Sequence, residues 1–292
     1  MPYKDQEMEN NRKAKIALIV LLILAILVTV YPVISNFLYD KHRSRVQTEY
    51  FAAIEQMDDE TLSTARKAAE EYNALLAKGV SPAFSDDQLH AATVSYEGLL
   101  NLNGDGTMCY IEIPTIAVKL PVAHGTEADT LENAIGHVVG TSLPIGGSGT
   151  HVVLSGHSGM AGQKMFTDLH ELRAGDMVYI HVLNEVLAYE TESTETVLPE
   201  DTSGLSIAQG KDQLTLITCT PIGVNTHRLL VHCSRVPYIP ETGQAEAETE
   251  PISSSWQRQY LEGIGYGMAA LLIVFICYEL IRIRRGRHGK GA

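Results

Sequence analysis

Cysteine is scarce: there are four in 292 residues, Cys109, Cys219, Cys233 and Cys277, with no CxxC pair and no dense spacing. That excludes a disulfide scaffold, although Cys109 and Cys233 remain candidates for a single pair in an oxidising compartment. Basic charge is also in short supply. Thirty-five acidic residues stand against 22 basic ones, for a formal net charge of −13, which argues against a sequence-independent nucleic-acid binder. No P-loop, no GxGxxG after a strand and no HExxH occurs, so the phosphate-loop, dinucleotide and zinc-protease signatures are all missing. No internal repeat is present either, and no cofactor is implied.

Long apolar runs, by contrast, are plentiful. Ile16 to Val30 carries no charge, and its continuation through Ile34 reaches the length of about 20 residues that crosses a bilayer. A transmembrane helix is expected over 16–35. A cleavable signal peptide is the alternative, but the run exceeds the usual apolar region of about 7–15 residues and no small-x-small site follows directly. A second run, Ile264 to Ile281, predicts a span over 261–281. Arg282, Arg284, Arg285, Arg287 and Lys290 follow it, while Lys4, Arg12, Lys13 and Lys15 precede the first run. The positive-inside bias therefore puts residues 1–15 and the basic tail 282–292 in the cytoplasm, with the intervening segment outside.

Between the spans the hydrophobic period changes once. Over 36–102 the chain reads as a helical segment, with Tyr50, Ile54, Met57, Leu62, Ala65, Ala69, Tyr72 and Leu75 at helical spacing, a loop at Val80 to Asp87 and a short helix over Gln88 to Leu102. Over 103–240 it breaks into short β-like runs at Met108–Ile113, Ala117–Val122, Val138–Val139, His151–Leu154, Met177–Val182, Leu187–Glu192, Leu214–Thr218 and Leu229–Cys233. Phe166 to Leu172 is the only clear helical turn among them. The class is therefore mainly β, a barrel or sandwich. An acidic, Pro-containing linker over 241–260 joins this domain to the second span.

Chemistry points to Leu214–Arg228. Leu214 to Thr218 reads as a strand that ends at Cys219 and is closed by Pro221 and Gly223, with Arg228 nine positions beyond the cysteine. A strand end beside a loop holds a side chain rigidly and leaves it accessible, as a nucleophile requires. The competing reading is a small buried hydrophobe. A working thiol needs a base or a cation nearby. His157, between glycines in Leu154-Ser155-Gly156-His157-Ser158-Gly159, is the leading base, because small neighbours leave room for another chain to approach its ring. His124, His137 and His151 compete with it. His227, His232, Cys233 and Cys219 are metal-ligand types, but their spacing fits no common zinc signature, so no metal site is assigned. A papain-like order of Cys before His is also missing.

Thr215-Leu216-Ile217-Thr218-Cys219, with Arg228 after it and Leu154-Ser155-Gly156-His157 before it, resembles the sortase family of Gram-positive cell-surface transpeptidases. Tyr110-Ile111-Glu112-Ile113-Pro114 and Asn225-Thr226-His227-Arg228 extend the likeness over about Asn101 to Tyr238. The helical N-terminal segment and the C-terminal span resemble class C, the pilin-polymerising sortases. The resemblance implies an eight-stranded sortase-type β-barrel with N-terminal helices, flanked by two transmembrane helices. It also implies a two-pass membrane protein with its catalytic domain extracellular. The implied reaction is cleavage of an LPXTG-type sorting signal between Thr and Gly, with Cys219 as nucleophile, His157 as acid and base, and Arg228 binding substrate or oxyanion. The acyl donor would be an LPXTG-bearing pilin or surface protein, and the acceptor a pilin lysine or a cell-wall peptidoglycan amine. A membrane-tethered β-domain without chemistry is the reading from another class. Class C enzymes carry a lid with an Asp-Pro-aromatic motif. Here Asp86 matches the acid in Ser85-Asp86-Asp87-Gln88, no Pro or aromatic follows it, and Phe84 is the candidate substitute.

Overall fold

In the computed structural model the described residues are 50–79, 96–160 and 163–240, with single positions at 48, within 13–34 and within 262–273. The chain divides into two compact units, 32–252 and a smaller one of 1–31 with 253–292. In the smaller unit, residues 23–31 and 262–267 are helical. Among the described residues no helix is long and apolar enough to cross a membrane, so the spans expected over 16–35 and 261–281 stay expectations. The lid candidates Phe84 and Asp86 and the linker 241–260 lie outside the described residues.

The larger unit is a closed barrel of eight strands: β1 Thr107–Ile113, β2 Val118–His124, β3 Ile135–His137, β4 Thr150–Ser155, β5 Met177–Val182, β6 Glu185–Val197, β7 Asp212–Thr220 and β8 His227–Val236. Around the barrel they run β1-β2-β3-β4-β7-β8-β6-β5. Most neighbours are antiparallel, but β2–β3 and β4–β7 are parallel. Side-chain alternation fills the interior: Val152 and Leu154 from β4, Leu214 and Leu216 from β7, and Val231 and Cys233 from β8 are buried in one core. Closure leaves no open sheet edge to cover.

A helix packs against the barrel wall. Helix α1, Asp59–Ala77, starts at Asp58, whose carboxylate accepts the Thr61 N–H at 2.7 Å, and its first turn carries Asp59 and Glu60. Its buried residues are Leu62, Ala69, Tyr72, Asn73 and Leu76. Leu76 thus takes the place expected for Leu75, which is 38% exposed, because the one-residue step turns the side chain by about 100°. Asn73 clamps the backbone of Leu143, donating to its carbonyl at 3.1 Å and accepting its N–H at 2.7 Å. Before α1, residues 50–56 are helical. There Tyr50 and Phe51 cover Tyr110 with ring centroids 5.1 and 5.5 Å away, which explains why β1 is buried along nearly its whole length.

Several expectations shift. The third strand is Ile135–His137, not Val138–Val139, because Gly140, with φ 87°, turns the chain and Thr141 N–H bonds the Val138 carbonyl at 3.2 Å. Strand β6 runs five residues beyond Glu192 through a polar Ser193–Val197 extension. Its pairing with β8 supplies the backbone bonds that the residue types do not advertise. A second helix, α2 Ala128–Asn133, joins β2 to β3 unforeseen, and the turn at Phe166 to Leu172 contains a short 3-10 helix at Leu169–Glu171. Of the helix expected over Gln88–Leu102, the described part holds a 3-10 turn, Tyr96–Gly98.

Candidate active site

Strands β7 and β8 form a hairpin in which Cys219 is paired directly with Arg228. Facing residues in an antiparallel pair lie on the same side of the sheet with Cα atoms about 4.5–5.5 Å apart. The intervening turn is closed by Val224 and Asn225 N–H groups on the Pro221 carbonyl at 3.0 and 2.9 Å. Asn225 sits in the left-handed region at φ 61°, which Asn tolerates better than most residues. The Arg228 guanidinium is tethered to this turn, one terminal nitrogen donating to the Asn225 carbonyl at 3.2 Å and to the His227 carbonyl at 3.1 Å. Its other N–H groups have no partner among the described residues. A planar fork held this way is prepared to bind a carbonyl or an oxyanion.

His157 reaches the same end of the barrel on the loop after β4. Parallel pairing of β4 with β7 ends at Ser155 opposite Ile217, and three hydrogen bonds continue the seam. Gly156 N–H donates to the Ile217 carbonyl at 3.0 Å, the buried Thr218 hydroxyl to the Gly156 carbonyl at 2.7 Å, and the Ser158 hydroxyl to the Cys219 carbonyl at 2.6 Å. The His157 carbonyl accepts the Phe166 N–H at 3.0 Å. His157, Cys219 and Arg228 are all partly exposed, as groups that must meet a substrate need to be.

The glycines around His157 serve a different purpose from the one expected. A Cβ on Gly156 would meet Ile135 Cδ1 at 2.6 Å and the Phe166 ring at 2.7 Å, and one on Gly159 would meet Ile222 Cγ2 at 2.4 Å. The space is filled by this chain's own side chains. Ile222, from the turn after Cys219, thereby braces the histidine loop against the cysteine hairpin.

The competing histidines are committed elsewhere. His137 is fully buried between the Tyr96 hydroxyl at 2.7 Å and the Ser142 carbonyl at 2.9 Å, and burial lowers its pKa to about 4. His151 contacts Thr215 Oγ1 and the Ser206 carbonyl, and burial lowers its pKa too. The His124 ring lies between the Gly106 and Leu99 carbonyls. Of the four candidates, only the His157 ring lacks a hydrogen-bond partner among the described residues.

The suspected metal ligands are likewise dispersed. Cys233 points into the core near Thr191, and His232 contacts Thr215 and Glu195. Among the described residues no group of three or more ligand side chains could hold a metal ion. Cys109, Cys219 and Cys233 are free thiols. Burial pushes the Cys109 pKa well above the ordinary thiol range and that of Cys233 up to about 12, so neither suits nucleophilic work.

A cavity of about 280 Å³ opens beside Arg228, with Ile217 and Leu230 from the hairpin, Val138 and Val197 from flanking segments, and Pro199 and Leu205 from the β6–β7 loop among its lining. Its size is just below that of ligand pockets, roughly 300–1,000 Å³, and its mixed lining, with Thr126, Ser155, Asp201, Thr202 and Arg228 beside the apolar residues, suits a short peptide segment. The sequence did not point to Val138, Val197, Pro199 or Leu205, and although Ile217, Thr218 and Ser158 stand in the motifs of Cys219 and His157, it assigned them no role in the site. Their contacts join segments about sixty residues apart, and the only local cue is the hydroxyl beside each main residue.

The Sortase domain family model matches residues 111–236. Sortase C1 of Streptococcus agalactiae is 40% identical, with 67% of this chain and 100% of that one covered at a TM-score of 0.63. Clostridium perfringens sortase C, solved with the C-terminal cell wall sorting motif, is 38% identical over 65% of this chain and 97% of that one, at a TM-score of 0.56. Sortase D of Bacillus subtilis is 33% identical over 129 residues, which is 43% of this chain and spans 62% of that relative.

Proposed function

The chain belongs to the sortase family of cysteine transpeptidases, and from that premise we propose that it is a class C member that polymerises pilins. The acyl donor is an LPXTG-type sorting signal and the acceptor a pilin lysine. The observation that carries the chemistry is the cross-strand pair of Cys219 with Arg228, joined to the His157 loop by the Ser158 bond to the Cys219 carbonyl, and the likeness to sortase C structures supports the pilin acceptor.

The sulfur of Cys219 attacks the donor Thr carbonyl carbon, and the oxygen that gains charge is held by Arg228. The C–N bond to Gly then breaks as His157 gives its proton to the leaving amine, which leaves a thioester on Cys219. The lysine amine attacks that thioester, His157 takes up the amine proton, and the C–S bond breaks to release an isopeptide and restore the thiolate. The cavity takes the Leu-Pro part of the signal against its apolar residues Val138, Val197, Pro199, Leu205, Ile217 and Leu230. Membrane spans at 16–35 and 261–281 place the domain outside the cell. They confine it with substrates anchored in the same membrane, which raises the effective concentration.

Mass spectrometry of the protein with an LPXTG peptide tests this reading. An adduct on Cys219 is expected, absent in Cys219→Ala. Arg228→Ala should lower kcat by about 10²–10³, the cost of one oxyanion donor, and Arg228→Lys should not restore it. An adduct that survives Cys219→Ala, or turnover unchanged in Arg228→Ala, overturns the assignment. With purified pilin, an SDS-resistant ladder is expected; transfer only to a peptidoglycan amine would refute the pilin acceptor.

A further inference from the structure

The outward face of β7 and β8 carries a ladder of facing pairs. Cys219 faces Arg228, Ile217 faces Leu230, and Thr215 faces His232. The first pair belongs to the proposed chemistry and the second lines the cavity. The third pair lies one step further along the same face, with Gly204 of the β6–β7 loop against His232, and is part of a hydrogen-bonded chain that the proposed reaction does not use.

That chain crosses four elements. From β6, Glu195 Oε1 lies 3.0 Å from His232 Nε2 on β8; His232 Nδ1 lies 3.0 Å from Thr215 Oγ1 on β7; Thr215 Oγ1 lies 2.7 Å from His151 Nε2 on β4; and His151 Nδ1 lies 3.0 Å from the Ser206 carbonyl in the β6–β7 loop. Proton directions follow from the end groups. A carbonyl only accepts, so His151 Nδ1 donates to Ser206. Burial favours the neutral His151 ring, so its Nε2 accepts from the Thr215 hydroxyl. The Thr215 oxygen then accepts from His232 Nδ1, and His232 Nε2 donates to the carboxylate. Every contact is matched when His232 carries both protons.

The loop rests on this chain at two points. Besides the Ser206 carbonyl, Gly204 lies against the ion pair: a Cβ there would come within 2.8 Å of Glu195 Oε1 and 3.4 Å of His232 Cε1. Between Leu198 and Gly210 the loop's other hydrogen bonds among the described residues are local, such as Leu205 N–H to the Thr202 carbonyl at 3.0 Å and Ser203 N–H to Asp201 Oδ1 at 3.0 Å. Ile207 adds an apolar contact with the core. The same loop supplies Pro199, Asp201, Thr202 and Leu205 to the cavity beside Arg228.

We propose that Glu195, His232, Thr215 and His151 are positioning residues that hold the β6–β7 loop as a wall of the acyl-donor groove and so set KM for the sorting peptide. The inference rests on the donor assignment made above for that groove. None of the four takes part in bond making. Facing His232 are Glu195 from β6, Thr215 from β7 with His151 behind it on β4, and the uncharged Gly204 from the loop. Its same-face neighbours on β8 are Leu230 and Ser234, with Arg228 beyond Leu230. The Asp201 carboxylate is turned into its own loop. Among the described residues, Glu195 is therefore the one charge in direct contact with the His232 ring. The amide of Glu195→Gln keeps an oxygen that can accept from His232 Nε2.

Glu195 is half exposed, so its replacement does not threaten folding. The full-length protein in detergent is compared with Glu195→Ala and Glu195→Gln by hydrogen exchange of the 198–210 segment and by steady-state kinetics with an LPXTG peptide. In Glu195→Ala, faster exchange in that segment is expected together with a donor KM raised about two- to tenfold, the scale of one lost charge-assisted contact, and kcat within about twofold. Glu195→Gln, which keeps an acceptor for His232 Nε2, should bring KM back toward the wild-type value. Unchanged exchange in Glu195→Ala overturns the positioning role, and faster exchange with unchanged KM overturns the link to the groove. A wild type that forms no adduct on Cys219 refutes the donor assignment instead, and the exchange comparison still decides whether the chain holds the loop.

Discussion

Replacing His137 with Gln should remove a large part of the acid sensitivity of this fold. The ring is fully buried on β3 and satisfied as a neutral imidazole, with Nε2 donating to the Ser142 carbonyl at 2.9 Å and Nδ1 accepting the Tyr96 hydroxyl at 2.7 Å. A second proton on Nδ1 would bring a buried charge and displace the tyrosine donor. Burial accordingly lowers the pKa from 6.5 to about 4. Between these values the unfolded chain binds the extra proton and the folded chain does not, so stability falls as pH drops. The contribution is fully present above 6.5 and lost below about 4. At 1.36 kcal/mol per pH unit, the loss is roughly 3 kcal/mol. His151, also lowered by burial, adds a loss of the same sign. Urea denaturation followed by near-ultraviolet circular dichroism of the tyrosines, at intervals from pH 7 to pH 4, gives the slope. His137→Gln keeps a donor and an acceptor but cannot titrate, so its decline should be shallower than that of the wild type by about that amount. Equal declines in the two proteins would refute the reasoning.

Gly156→Ala should cost about 1–3 kcal/mol of stability from overpacking against Ile135 and Phe166 and should lower transpeptidation by displacing the His157 loop; denaturation and peptide turnover together check it. Asn73→Ala leaves both backbone groups of Leu143 unpaired in a buried site, so a loss of about 2–4 kcal/mol is expected in a urea titration. A water-soluble disulfide reagent should modify Cys219 in the native protein and reach Cys109 and Cys233 only on unfolding, as peptide mapping would show, because both are sealed in the barrel with raised thiol pKa values.

The hairpin that carries Cys219 and Arg228 was legible because its information is local. Leu214 and Leu216 alternate with residues of the outer face, and Pro221 and Gly223 mark the turn. The extension of β6 was hidden, since Ser193 to Thr196 are polar and hold their place through pairing with β8. The choice of Leu76 over Leu75 depended on the angle at which α1 meets the barrel. The glycines beside His157 read as room for another chain, whereas what they accommodate is Ile135, Phe166 and Ile222.

The sequence by itself determined the mainly β class, a strand over Leu214–Thr218 closed by Pro221 and Gly223, and a cysteine placed at its end nine residues from an arginine. The tertiary structure alone decided which histidines are occupied. His124, His137 and His151 compete with His157 in the sequence, yet each is bound by groups that the fold brings to it. Only the parallel seating of β4 on β7 sets the His157 loop against Cys219. Strand alternation is a property of neighbouring residues, whereas a hydrogen-bond partner sixty positions away is chosen by the closure of the whole barrel.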